Sequence, residues 1–274
     1  MTSRLTTLNN GLRVVTHDMA SVESATVGVW VGAGTRNETA DVNGVAHLLE
    51  HMAFKGTTSR SATVIAEEIE AVGGHLNAYT GRESTVYYAK VLKEDVGLAL
   101  DLIADILHNA TFDEDELKRE CAVVLQEIGQ AHDTPDDLIF DYFQETAFPD
   151  QALGRPVLGC PDVIRNMSRK SIVDYMHKAY AADGMVLAAA GRVDHDALVE
   201  KGQKLFGARN GNGGIGCEPA RYRGGEIRDP RDLEQLHLVL GFEGVPYDDD
   251  EFYAATALTT LLGGGMSSRL FQEI

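Results

Sequence analysis

The 274-residue chain is 44% hydrophobic and carries 24 Lys and Arg against 42 Asp and Glu, a formal charge of −18 at pH 7. That acidic balance argues against nucleic-acid binding, whose usual footprint is a basic patch, while the apolar content is enough to bury a real core. No run approaches eighteen apolar residues, and Met1-Thr2-Ser3-Arg4-Leu5 lacks a charged segment followed by an apolar one, so neither a membrane span nor secretion is expected.

In chain order, a strand pattern at Leu12-Arg13-Val14-Val15 comes so early that no arginine-rich transit peptide fits ahead of it, and a second strand should follow. Next comes His47-Leu48-Leu49-Glu50-His51, read as a short apolar helix whose only polar groups are two imidazoles and a carboxylate. Residues three and four apart are surface neighbours on a helix, so His47 and His51 project from one face with Glu50 beside them. Two neutral imidazoles can grip Zn²⁺, and hydrolytic zinc keeps three protein ligands and one position for water, whose proton a nearby carboxylate takes. Glu50 suits that base role, and the order H-x-x-E-H is the inverzincin signature. A bare five-residue match also occurs on helices whose histidines only solvate a surface, so a third ligand decides the matter.

A helix is expected near residues 62–72, then one strand or a hairpin over residues 75–92, where polar and apolar residues alternate and Tyr, Thr and Val are frequent. Helices follow near residues 96–107 and 114–130. In the second, Leu117, Cys121, Val124, Leu125 and Ile128 recur at helical spacing, and Glu120 and Glu127, seven apart, border that apolar stripe. Either carboxylate can point at a metal, and spacing alone does not choose between them. Asp113-Glu114-Asp115-Glu116 and Asp248-Asp249-Asp250-Glu251 read as helix N-termini that favour the macrodipole. Further helical patterns run to about Tyr180, then a buried strand over residues 186–191 and a closing helix over residues 194–206. The glycine and asparagine cluster over residues 207–216 reads as a linker. Beyond it, residues 237–242 read as a strand and residues 251–262 as a helix. Interspersed strands and helices make the fold class α+β.

His17, His75, His108, His132, His177, His195 and His237 stand singly without metal-ligand spacing and read as structural. Cys121, Cys160 and Cys217 are odd in number and scattered, which argues against a disulfide framework and a cysteine zinc site. Gly213-Gly214 and Gly263-Gly264-Gly265 lack the Lys-Ser/Thr ending of a phosphate loop.

The run H-L-L-E-H-M-A-F-K-G-T from His47 to Thr57, with Glu127 lying 76 residues after His51, resembles the M16 (pitrilysin) family of zinc peptidases. Two further stretches, G-G-H-L-N-A-Y-T-G-R-E-S-T-V-Y-Y-A-K from Gly73 to Lys90 and the terminal G-G-G-M-S-S-R-L-F-Q-E-I, resemble the mitochondrial processing peptidase beta-like branch. The resemblance implies one zinc per chain on His47, His51 and Glu127, with Glu50 as general base and Glu120 as a supporting carboxylate behind the ligands. It also implies an antiparallel or mixed sheet flanked by helices, and a sheet-edge strand whose Asn77, Ala78 and Tyr79 contact substrate.

The expected organisation is a catalytic domain over residues 1–206, a glycine-rich linker over 207–217, and over 218–274 the beginning of a second, related domain that stops early. The chain is therefore expected to be a fragment, a truncated product or one part of a split enzyme, partnered by a second M16 half or subunit. The expected function is a zinc metalloendopeptidase acting on unfolded or presequence-like peptides, basic ones fitting the acidic balance. A non-catalytic peptide-binding or assembly subunit is the alternative, and a zinc hydrolase of small molecules a third reading. A bacterial cytoplasmic location, or a mature mitochondrial matrix form, fits the absence of targeting signals.

Overall fold

Val27, Val29 and Val31 of one strand face the same way as Tyr87, Ala89 and Val91 of its neighbour, and this period-two alternation builds a sheet with one thoroughly buried face. The computed structural model describes residues 3–211 and 215–274; residues 212–214 of the expected linker, and Met1 and Thr2, lie outside the described residues. Among the described residues the strands are β1 (Ser3–Thr7), β2 (Arg13–Asp18), β3 (Ser24–Val31), β4 (His75–Thr80), β5 (Thr85–Leu92) and β6 (Met185–Gly191). They form one sheet in the order β1-β2-β6-β3-β5-β4. Only β2 and β6 pair in parallel; the other neighbours are antiparallel, so the sheet is mixed. The stretch 75–92 is thus a hairpin, and β4 is a free edge.

The helices are α1 (Val45–Ala53), α2 (Ala62–Ala71), α3 (Val96–Asn109), α4 (Glu114–His132), α5 (Pro135–Ala147), α6 (Pro161–Arg165), α7 (Arg169–Ala179), α8 (His195–Phe206), α9 (Phe252–Gly263) and α10 (Arg269–Glu273). Helices α3 and α8 cover strands β2, β3 and β5, while α1 packs against β4, α4 and α7. The acid-rich run at Asp113 starts α4 as read, Asp113 accepting the N–H groups of Asp115 and Glu116, and the run at Asp248 leads into α9, whose cap position is Glu251 with no side-chain cap bond. Among the described residues, no helix is long and apolar enough to cross a membrane.

Behind α1, the loop after the helix is tied down by Asp105 of α3, only 7% exposed. Its Oδ2 accepts from Thr57 Oγ1 and Ser59 Oγ at 2.8 Å and from Arg60 Nη1 at 2.9 Å, and its Oδ1 from Asn109 Nδ2 at 2.8 Å. Burial alone would raise this carboxyl's pKa, yet the four donors win and hold it at about 2. A carboxylate depressed on folding stabilises above its ordinary value of 3.8 and loses that contribution as pH falls toward about 2. Asp105→Ala is expected to cost about 3 kcal/mol, because three hydroxyl or amide donors and one guanidinium lose their acceptor; a urea midpoint unchanged at pH 7 would contradict this.

One expected strand does not form. Residues 237–242 are extended but have no ladder partner among the described residues, and Leu238, Leu240 and Phe242 are each at least 78% exposed. Alternation specifies a face, but a strand needs a neighbour to satisfy its N–H and C=O groups. The two strands expected ahead of α1 are β2 and β3, and a further one, β1, for which no pattern stands out, precedes them.

Candidate metal centre

Helix α1 is buried along one side through Val45, Ala46, Leu48, Leu49, Met52 and Ala53, which leaves His47, Glu50 and His51 on the remaining stripe. That stripe faces α4. Glu127 Oε2 stands 3.6 Å from His51 Nε2 and 3.8 Å from His47 Nε2, and the three candidate donor atoms lie within 4.8 Å of one another. The imidazole rings meet edge to face with centroids 4.7 Å apart.

Glu120, two helical turns earlier and 5% exposed, reaches the opposite side of the same ring: its Oε2 accepts from His51 Nδ1 at 3.0 Å. Its Oε1 pairs with Lys55 Nζ at 2.7 Å. A carboxylate on Nδ1 fixes the proton there and leaves Nε2 with a free lone pair toward Glu127. Glu120→Gln is expected to weaken zinc binding by about 10–100-fold with the fold intact; equal affinity in a chelator competition would leave Glu120 a purely structural group.

Glu50 does not join the three-donor cluster. Its Oε2 instead accepts the hydroxyl of Thr80, at the end of β4, at 2.5 Å. Burial pushes the Glu50 carboxyl above its ordinary pKa, against the pull of the Thr80 bond and of His51, with Glu127 adding to the rise. Burial drives the His47 imidazole down to about 4, reinforced by His51, so it is neutral at physiological pH. Thr80 and Lys55 were not singled out in the sequence. Lys55 sits one turn beyond His51 and Thr80 directly follows Asn77-Ala78-Tyr79, but both residue types are too common for spacing to mark them.

The arrangement suits a metal. Donors each about 2 Å from one ion lie at most about 4 Å apart, and the separations from Glu127 meet that limit. His47 Nδ1 is buried with no hydrogen-bond partner among the described residues, so nothing in the chain claims that ring but the cluster at its Nε2. Two imidazoles and a carboxylate are a donor set zinc accepts.

The three candidate substrate contacts separate by face. Asn77 and Tyr79 put their side chains on the open side of the sheet, Tyr79 being 49% exposed, whereas Ala78 turns its methyl group into the core and offers only main chain. Asn77 Oδ1 accepts the Ala78 N–H at 2.9 Å, so this edge donor is covered by its own neighbour.

Residues 13–161 match the family model described as insulinase (peptidase family M16), and residues 166–274 match the peptidase M16 inactive domain. The chain belongs to the M16 peptidase family. The second M16 match begins before β6, a strand of the same sheet as β4, against which α1 packs. An uncharacterized zinc protease of Rickettsia felis is 44% identical over 97% of this chain and 65% of its own length. A probable mitochondrial-processing peptidase subunit beta of Arabidopsis thaliana is 43% identical over 95% of this chain and 50% of its own. Among solved structures, a protease from Helicobacter pylori superposes with a TM-score of 0.85 at 26% identity, covering 99% of this chain and 68% of that one. The chain thus spans about 65% of the length of the Rickettsia relative.

Proposed function

We propose that this M16 chain carries the zinc centre of a metalloendopeptidase that hydrolyses unfolded or presequence-like peptides. The observation that carries the reading is the convergence of His47, His51 and Glu127 donor atoms within 4.8 Å on α1 and α4, with Glu50 on the same stripe of α1. The names of relatives as zinc proteases support it.

A zinc ion held by those three residues would polarise the scissile carbonyl and acidify the attacking water. Glu50 Oε takes the water's proton, which its raised pKa favours, and returns it to the departing amine nitrogen, so one carboxylate serves as base and then acid. Thr80 keeps that carboxylate oriented through its hydroxyl. The free edge of β4 pairs with an extended peptide by main-chain bonds, Asn77 Oδ1 yielding the Ala78 N–H as the peptide arrives. With a charge of −18, the chain favours basic peptides.

In this reading the catalytic unit closes at Phe206, the last residue of α8 and part of the buried core, and residues 218–274 open a second M16 unit. The exposed apolar side chains Leu238, Leu240 and Phe242 then await the rest of that unit or a partner subunit.

Elemental analysis tests the centre first. About one zinc per parent chain is expected, with a sharp loss in Glu127→Gln, and hydrolysis of an arginine-containing unfolded peptide should stop with chelator and return with zinc. A folded parent that binds no zinc would overturn the proposal.

A further inference from the structure

Helix α1 starts in an unusual way for a segment carrying three functional side chains. Its cap position is Gly44, at φ +95°, with no side chain to satisfy the first N–H groups. A Cβ there would lie 2.7 Å from Ile164 Cδ1 and 2.9 Å from the Cα of Gly159, so no Ser or Asp fits. The cap has to come from elsewhere.

It comes from Glu38, a side chain 4% exposed. Its Oε2 accepts from the Gly44 N–H at 2.8 Å and from Asn43 Nδ2 at 2.9 Å, and its Oε1 accepts from the Ala46 N–H at 2.8 Å. The Arg155 guanidinium donates to the main-chain oxygen of Glu38, and Asn43 Nδ2 also reaches Pro156 O at 3.3 Å. Arg155 and Pro156 thereby tie down the Glu38 main chain and the Asn43 side chain on either side of the capped turn.

We propose that Glu38 is a positioning residue for the metal centre, fixing the first turn of α1 so that His47, immediately after Ala46, is presented to Glu127 in the right place. The inference rests on the zinc reading above. Charge-assisted bonds to helix N–H groups are short and strong, and an anion at a helix N-terminus is favoured by the dipole. His47 is the third residue of α1, so any slackening of the Gly44 and Ala46 bonds displaces its ring directly. The arrangement is costly: burial pushes the Glu38 carboxyl up to about 7 despite the bonds from Ala46, Gly44 and Asn43 and the nearby Arg155 charge. An isolated helix cap does not require a buried acid, whereas a metal site needs its ligands held within fractions of an ångström.

Zinc affinity by competition with a fluorescent chelator, measured on the 274-residue chain, tests this in Glu38→Gln against the parent and Asp105→Asn. The amide keeps the shape but places N–H donors against N–H donors. Glu38→Gln is expected to weaken zinc by about tenfold or more. Asp105→Asn, which also removes a buried carboxylate charge, should lose stability yet keep zinc affinity within about twofold. Parental affinity in Glu38→Gln, or equal losses in both variants, would overturn the inference while leaving the zinc centre standing. A parent without zinc would overturn both.

Should Glu38→Gln not fold, amide exchange of the unmodified chain gives the answer. By linkage, zinc must tighten whatever tightens zinc. Zinc is expected to slow exchange at Gly44 and Ala46 more than at Val64, whose amide is capped by Ser61 on α2; equal protection at both places overturns the role.

Discussion

Glu50→Gln is expected to lower kcat for peptide hydrolysis by on the order of 10²–10⁴-fold while zinc content stays at the parental level. The two effects separate because Glu50 shares the stripe of α1 with His47 and His51 but lies outside their cluster with Glu127. Glutamine preserves volume, and its carbonyl can still accept the Thr80 hydroxyl that Glu50 accepts at 2.5 Å. What disappears is the proton acceptor. Burial raises the pKa of the Glu50 carboxyl, the direction a general base needs, and α1 carries no other carboxylate to replace it. The measurement is steady-state hydrolysis of an unfolded peptide, with zinc quantified in the same samples and any completing M16 unit supplied equally to both proteins. A zinc-loaded Glu50→Gln protein with parental kcat would remove Glu50 from the chemistry.

Why the motif on α1 was legible and its supports were not is a matter of distance along the chain. His47, Glu50 and His51 are neighbours by helical geometry alone, so spacing places them together before any tertiary contact exists. Glu120 and Glu127 share one stripe of α4, and nothing local distinguishes them. Only the placement of α4 against α1 puts Glu127 beside both Nε2 atoms and Glu120 on the Nδ1 side with Lys55. It is the resemblance to M16 peptidases, and not periodicity, that assigns the two carboxylates different roles. Glu38 and Thr80 carry no pattern at all: Thr80 matters through one bond to Glu50, thirty residues away, and Glu38 through a loop that folds its carboxylate back onto Asn43, Gly44 and Ala46.

The sheet shows the same divide. Strands β5 and β6 announce themselves through β-branched and apolar runs, whereas β1, Ser-Arg-Leu-Thr-Thr, is almost wholly exposed and exists because β2 pairs with it from Ser3↔His17 to Thr7↔Arg13. Residues 237–242 are the converse: a good apolar run with no ladder to join among the described residues.

His51→Ala and His47→Ala are each expected to lose the metal, and to differ in the stability of the metal-free protein in a way that reports how each ring is held. Zinc in four-ligand peptide sites is worth about 10–16 kcal/mol, or about 3 kcal/mol per ligand, so removing either imidazole should weaken binding by on the order of 100-fold or more. The two rings are not equally embedded. His47 Nδ1 has no partner among the described residues, so its removal breaks no hydrogen bond of the metal-free protein. His51 Nδ1 bonds to Glu120, and without it that 5%-exposed carboxylate keeps only Lys55, at 2.7 Å. A buried acceptor stripped of one donor costs about 1–3 kcal/mol. Both variants should therefore fail a zinc competition assay alike, while metal-free His51→Ala unfolds at lower urea than metal-free His47→Ala. Equal midpoints would mean that Glu120 is not held through His51, and the tautomer it is assigned to fix would lose its support.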